Sequence, residues 1–148
     1  MPPLNHPRIH RLKQMFPQLH IGSNGGLKTL DECREQLAHV DSVMVGREAY
    51  QNPWLLAGVD HALFGEADEG RTRHDVMRAF RPYLEERLAA GVRLNHITRH
   101  VLGLYSGCRG GRAFRRHLSE NAHRDGAGIE VVDDALALVE APSSALAS

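Results

Sequence analysis

Long apolar runs are missing from this chain of 148 residues. No stretch approaches the ~18 apolar residues that span a bilayer, which excludes a helical membrane protein. The opening MPPLNHPRIHRLK also lacks the apolar core of a secretory signal. Both absences predict a soluble, cytoplasmic protein with no membrane partner. Cysteine is scarce: Cys33 and Cys108 lie 75 residues apart, too few for a disulfide framework and too distant for the close ligand couples of structural zinc. Ten histidines show no HExxH or comparable spacing, and the i, i+4 pair His96 and His100 is the nearest approach to one. No metal site is expected.

Net charge is missing too, since 18 bases face 18 acids. A zero total argues against a nucleic-acid binder until the charges are placed along the chain. Residues 1–70 hold nine acids and six bases, residues 71–116 three acids and eleven bases, and residues 117–148 six acids and one base. The basic middle contains no lysine at all. Every base in it is Arg, whose planar fork suits phosphate.

What is present suffices for a core, with 42% of residues hydrophobic. Ile9, Leu12 and Phe16 predict a helix over 8–16 that Pro17 stops, and Leu19–Ser23 reads as a short strand. Thr29 and Glu32 have capping-box spacing and open a helix with Leu30, Cys33, Leu37 and Val40 on one face. Ser42–Val45 reads as a strand covered on both faces. The first 50 residues thus form a βαβ unit with a parallel pair. Two parallel strands do not make a stable sheet, so either a second copy or further strands must complete it.

After a Pro53-Trp54 break and the acidic linker 65–70, the pattern is helical. Met77, Phe80, Leu84 and Leu88 mark a helix over 74–90, and Ile97, Val101 and Leu104 one over 94–105. Another begins near Arg112, and a last one covers 133–140 with Ile129, Val132, Leu136 and Val139 in register. A boundary near residue 66 separates a piece of α/β structure from a helical bundle, and residues 142–148 form a frayed tail.

Two constellations carry chemistry. Asn24-Gly25-Gly26 and Gly46-Arg47 follow the two strands at equivalent ends. Glycines admit an anion to backbone N–H groups, and Arg47 adds a bidentate charge. Alone, each is equally a turn or a surface charge; paired at matching strand ends, they point to a phosphate site like that of a TIM barrel after strands seven and eight. The second is the Arg-rich run from His96 to His117, in which Arg112, Arg115 and Arg116 share a helix face. That face is either solvated or suited to a phosphate backbone, and the scarcity of interleaved acids favours RNA. Cys108 beside Arg109 is either a nucleophile without a fixed base or a loop cysteine, while Cys33 belongs to an apolar face. Trp54 and Tyr50 fit a covering role better than ligand stacking.

The blocks SxNGGLKTLDE, DSVMVGREAYQNPW and HITRHVLGLYSGCRGGRAFRRHLSENAH resemble the tRNA-dihydrouridine synthases, most closely their A-type subfamily. The resemblance runs from about Pro2 to Val139. It implies an N-terminal FMN-binding TIM barrel followed by a helical tRNA-binding domain, with FMN reducing the uridine C5–C6 bond in the tRNA D-loop and NADPH as reductant. By this resemblance Asn24, Gly25, Gly26, Gly46 and Arg47 bind the FMN phosphate, and Arg112 and Arg115 contact tRNA.

A barrel of eight strands needs about 250 residues, and only its last two strands are legible. The expected architecture is α/β: the last two βα units of the barrel over residues 1–65, then a helical tRNA-binding domain over 66–141. The family's catalytic cysteine matches neither Cys33 nor Cys108. The expectation is therefore a C-terminal portion that is inactive alone, holds at most the phosphate end of FMN, and self-associates through exposed strand edges. The competing expectation is a non-enzymatic RNA-binding helical module.

Overall fold

The computed structural model describes residues 4–139, which divide into two compact units. One comprises residues up to Tyr50 together with Leu55–Asp68, the other Gln51–Trp54 together with residues from Glu69 onward. The expected tail over 142–148 lies outside the described residues.

In the first unit, helix α1 (His6–Met15) starts because the Asn5 side-chain oxygen accepts the Arg8 amide at 3.0 Å and Pro7 presets the first turn. Strand β1 (Gly22–Asn24) leads through a loop into helix α2 (Leu30–Leu37) and strand β2 (Ser42–Met44). The capping box opening α2 is complete: Glu32 N–H donates to Thr29 Oγ1 at 3.1 Å and Thr29 N–H to Glu32 Oε2 at 3.2 Å. The strands pair in parallel, with Gly22 opposite Ser42, Ser23 opposite Val43 and Asn24 opposite Met44. Leu27, Cys33 and Val40 are the buried apolar side chains of this unit, and Ser23 is fully buried on β1.

Strand β1 begins three residues later than the apolar run predicts. Leu19 is bound into the turn after Pro17: its amide donates to the Phe16 carbonyl, and its own carbonyl accepts Lys13 Nζ at 2.9 Å. The Ile21 amide donates to the Asp41 side chain at 2.8 Å instead of to a strand neighbour. Helix α3 (Arg47–Gln51) follows β2 after two residues, a 3₁₀ stretch covers Pro53–Gly58, and helix α4 (Val59–Phe64) ends on Gly65 in the left-handed region.

The second unit contains helix α5 (Arg73–Ala89), opened by a Thr72–Asp75 capping box, then α6 (Leu94–Thr98), α7 (Gly111–Asn121) and α8 (Ile129–Ala137). Its core joins Met77, Leu84, Leu94, Ile97, Leu104, Tyr105, Phe114, Leu118, Val132 and Val139. The helix expected over 94–105 stops at Thr98. Beyond it the chain runs in successive i→i+3 turns to Cys108. Within this stretch a Cβ on Gly103 would collide with the Gln51 carbonyl, so the two backbones approach closely there. Helix α8 starts four residues before the expected 133, at Ile129, the first residue of the apolar stripe. Among the described residues, no helix is long and apolar enough to cross a membrane.

Candidate functional site

In the first unit the ladder register decides the geometry. Asn24 and Met44 are direct partners and the last residues of their strands, so Gly25-Gly26 and Gly46-Arg47 emerge at the same end of a parallel pair. Gly25 has φ +119° and Gly26 φ +74°, where L side chains are strained. Gly46 lies beside the Met44 sulfur, and Arg47 opens α3 as an exposed side chain with no ion pair or hydrogen bond among the described residues. A fork of guanidinium donors without a protein acceptor thus stands at the strand ends. The α2 N-terminus is already used, because Glu32 Oε2 accepts the Lys28 amide at 2.6 Å as well as that of Thr29. Any anion here relies on the glycine loop and Arg47, not on the positive end of α2.

Leu4 is a neighbour of this loop that the sequence did not mark. Its methyl carbons lie 2.8 Å from the position of a Cβ on Gly25 and 2.5 Å from that of a Cβ on Gly26. Backbone conformation favours glycine at both positions, and a Cβ at either would push the exposed Leu4 side chain aside. Only the adjacency of Leu4 to the helix-capping Asn5 hints at its placement. Behind β1, Ser23 Oγ donates to Gln36 Oε1 at 3.4 Å, the same oxygen that accepts His10 Nε2 at 2.9 Å, and the His10 ring stacks on that of His39. Lys13 and Asp41 pair at 2.8 Å; the Ile21 amide first, then Lys13, hold the Asp41 carboxyl below the usual carboxylate range.

In the second unit α7 buries Gly111, Phe114 and Leu118 and exposes Arg112, Arg115 and Arg116. The helix starts without a side-chain cap on Gly110 in the left-handed region, and no acid occupies its first turn. A Cβ on Gly110 would strike the Leu138 carbonyl and one on Gly111 the Tyr105 carbonyl, so this glycine pair seats the helix start tightly. None of the three guanidinium groups has an ion pair or hydrogen bond among the described residues. Elsewhere in the unit arginines are engaged: Arg78 with Asp75, Arg93 with Asp125, and Arg81 with both Asp133 and Glu85.

Trp54 carries the Arg73 guanidinium 4.4 Å from its ring centroid while Arg73 Nε donates to the Leu104 carbonyl at 2.9 Å. Nothing in the spacing of residues 54 and 73 announces that contact. Tyr105 is buried, its hydroxyl has no partner among the described residues, and burial first, then the nearby Cys108, pushes its phenol up to about 12. Burial also raises the Cys33 thiol, leaving it a core side chain and not a nucleophile. Cys108 is half-buried, and His100 accepts from Arg99 Nε at 3.1 Å. Among the described residues, no group of three or more His, Cys, Asp or Glu side chains is placed to hold a metal ion.

The sequence model of the family described as dihydrouridine synthase matches residues 1–140. Among similar proteins are the tRNA-dihydrouridine(20/20a) synthases of Escherichia coli O6:H1, 52% identical over 139 residues, which are 94% of this chain and 42% of the relative. Those of Vibrio parahaemolyticus (51% identical, 94% of this chain, 43% of the relative) and Haemophilus ducreyi (52%, 94% and 43%) behave alike. The chain spans about two fifths of the length of these curated relatives. On this match the chain belongs to the dihydrouridine synthase family.

Proposed function

We propose that this chain takes part in the FMN-dependent reduction of uridine to 5,6-dihydrouridine in the D-loop of tRNA, in the cytoplasm, with NADPH as reductant. Residues 1–65 then supply the last two βα units of an FMN-binding TIM barrel, and residues 66–141 the tRNA-binding helical domain. The observation that carries this reading is the pairing of Asn24 with Met44, which brings the Gly25-Gly26 loop, Gly46 and an Arg47 without a side-chain partner among the described residues to one end of a parallel pair. This donor set fits a phosphate monoester: backbone N–H groups of Asn24, Gly25, Gly26 and Gly46, and the fork of Arg47. When bound, the flavin supplies the hydride that reduces C5–C6. The residues of this chain hold the phosphate end at Arg47 and the RNA backbone at Arg112 and Arg115, and neither Cys33 nor Cys108 serves as proton donor.

The chain as purified is expected to be colourless and to lack synthase activity. Titration with FMN, read by flavin fluorescence, is expected to show weak binding that inorganic phosphate displaces and Arg47→Ala abolishes, with riboflavin unbound. Riboflavin binding as tightly as FMN overturns the phosphate-end reading. A second reading, a non-enzymatic RNA-binding module, is favoured by the separate core of the helical unit and by the exposed Arg112, Arg115 and Arg116, whose guanidinium groups have no partner among the described residues. Binding of tRNA without any phosphate-dependent FMN binding selects it.

A further inference from the structure

We propose that Cys108 is a site of oxidation by hydrogen peroxide, and that the buried Tyr105 hydroxyl holds the sulfenic acid that forms there. Neither residue has a part in the flavin or RNA readings above, so the site stands apart from both.

The setting is a short turn in front of α7. Cys108 N–H donates to the Tyr105 carbonyl at 3.1 Å, and Gly111 N–H to the Cys108 carbonyl at 3.0 Å. Gly107 and Gly110, with φ +79° and +78°, close the turn on either side of the cysteine. Ser106, Gly107 and Arg109 are exposed, while Cys108 is half-buried against the helical core. Chain neighbours apart, nothing lies within 4 Å of a Cβ placed on Gly107, so a molecule as small as peroxide meets no wall on that side.

Below the turn, Tyr105 is 2% exposed and its hydroxyl has no partner among the described residues. A buried donor without an acceptor is costly and uncommon in folded interiors. The ring packs on Phe114, with centroids 4.7 Å apart, and meets His74 edge-on at 5.3 Å, but neither takes the phenol proton. Arg73, also near, is itself a donor and is spent on the Leu104 carbonyl. Cys108 is the remaining neighbour, close enough that charge on its sulfur acts on the phenol. A reduced thiol accepts hydrogen bonds weakly. One oxygen atom added to that sulfur is the acceptor the hydroxyl lacks.

The step balances with peroxide alone. The Cys108 sulfur attacks one peroxide oxygen, the S–O bond forms as the O–O bond breaks, and the departing hydroxide leaves as water with the thiol proton. Sulfur loses two electrons and peroxide gains them. The Tyr105 O–H then donates to the new oxygen. A small disulfide would add sulfur instead and leave the phenol unpaired. Cys33 is the internal contrast, 1% exposed and with its thiol pushed up by burial, so the same oxidant should pass it by.

The test treats the full reduced chain with hydrogen peroxide, ends the pulse with catalase, adds dimedone after increasing delays and locates the label by peptide mass spectrometry. Expected is label on Cys108 and none on Cys33, and none at all in Cys108→Ser. Tyr105→Phe keeps the ring and removes the hydroxyl; circular dichroism should show an unchanged fold. Its Cys108 should react with iodoacetamide at the wild-type rate, because access to the thiol is the same, yet its sulfenic acid should decay several-fold faster. Absence of dimedone on Cys108 overturns the oxidation site. Equal decay in wild type and Tyr105→Phe, or faster alkylation in the variant, overturns the role of the hydroxyl, the latter because Tyr105 would then merely cover the thiol.

Discussion

Asn24 and Met44 face each other as the last pair of the parallel ladder, and the next residues of both strands leave it at the same end. Because Gly25 and Gly26 have positive φ and contact Leu4, the loop has little tolerance for a Cβ. Gly26→Ala should lose about 1–2 kcal/mol from left-handed strain alone, with the Leu4 contact added to it. Combining it with Leu4→Ala removes the contact but not the strain, so the double variant should recover only part of the loss. Thermal melting of the single and double variants reads both terms. If the double variant is no more stable than Gly26→Ala, Leu4 does not press on the loop.

A pH dependence follows from Asp41. Its carboxylate accepts the Ile21 amide and pairs with Lys13, and both hold its pKa below the unfolded value of about 3.9. For a group whose folded pKa is depressed, the stabilisation is present above the unfolded pKa and is lost as pH falls through the folded one. The gap in urea midpoint between wild type and Asp41→Asn should therefore be widest near pH 6 and close progressively below pH ~4. Asp75, lowered by Thr72, adds acid sensitivity common to both proteins. A gap that stays constant down to pH 2.5 contradicts this linkage.

Much of this was legible because local chemistry and tertiary structure agree. The Thr29–Glu32 capping box and the β-branched run before Gly46 define α2 and β2 without reference to anything distant. The spacing of Arg112, Arg115 and Arg116 likewise gives their common exposed face, since helical periodicity is a local property. Other features depend on contacts between remote residues. Leu104 has helical spacing to Ile97 and Val101, yet the chain there runs in i→i+3 turns and Gly103 lies against Gln51, neither of which the spacing announces. Leu4 over Gly26 and Trp54 beneath Arg73 have no periodic signal, because an apolar or aromatic residue in a loop does not declare what it will touch.

Gly103 and Gly107 separate two reasons for glycine within one segment. Gly103 has ordinary φ but no room, its missing Cβ being replaced by the Gln51 carbonyl; Gly107 has φ +79° and open space around it. Gly103→Ala should cost about 3 kcal/mol or more, because backbone must move, and Gly107→Ala about 1 kcal/mol from conformation alone. For a domain of this size each kcal/mol lowers Tm by roughly 4–8 °C, so calorimetry resolves the difference. Equal losses would mean that the Gln51 segment yields easily.

Exposed apolar surface in the first unit makes self-association the expected solution behaviour. Met15 is 63% exposed, Met44 52% and Leu19 51%, and the only strands among the described residues form a two-stranded sheet. A pair of parallel strands is not independently stable in water, and exposed apolar residues beside open strand edges favour contact with further chains. Sedimentation velocity should show species larger than a monomer that grow with protein concentration. Met15→Lys combined with Leu19→Lys should shift the distribution toward monomer, since each places a charge where a second chain would exclude water. Both substitutions lie outside the phosphate loops and the α7 arginines, so tRNA binding should persist in the variant. A monodisperse, cooperatively melting wild-type monomer at high concentration would rule association out.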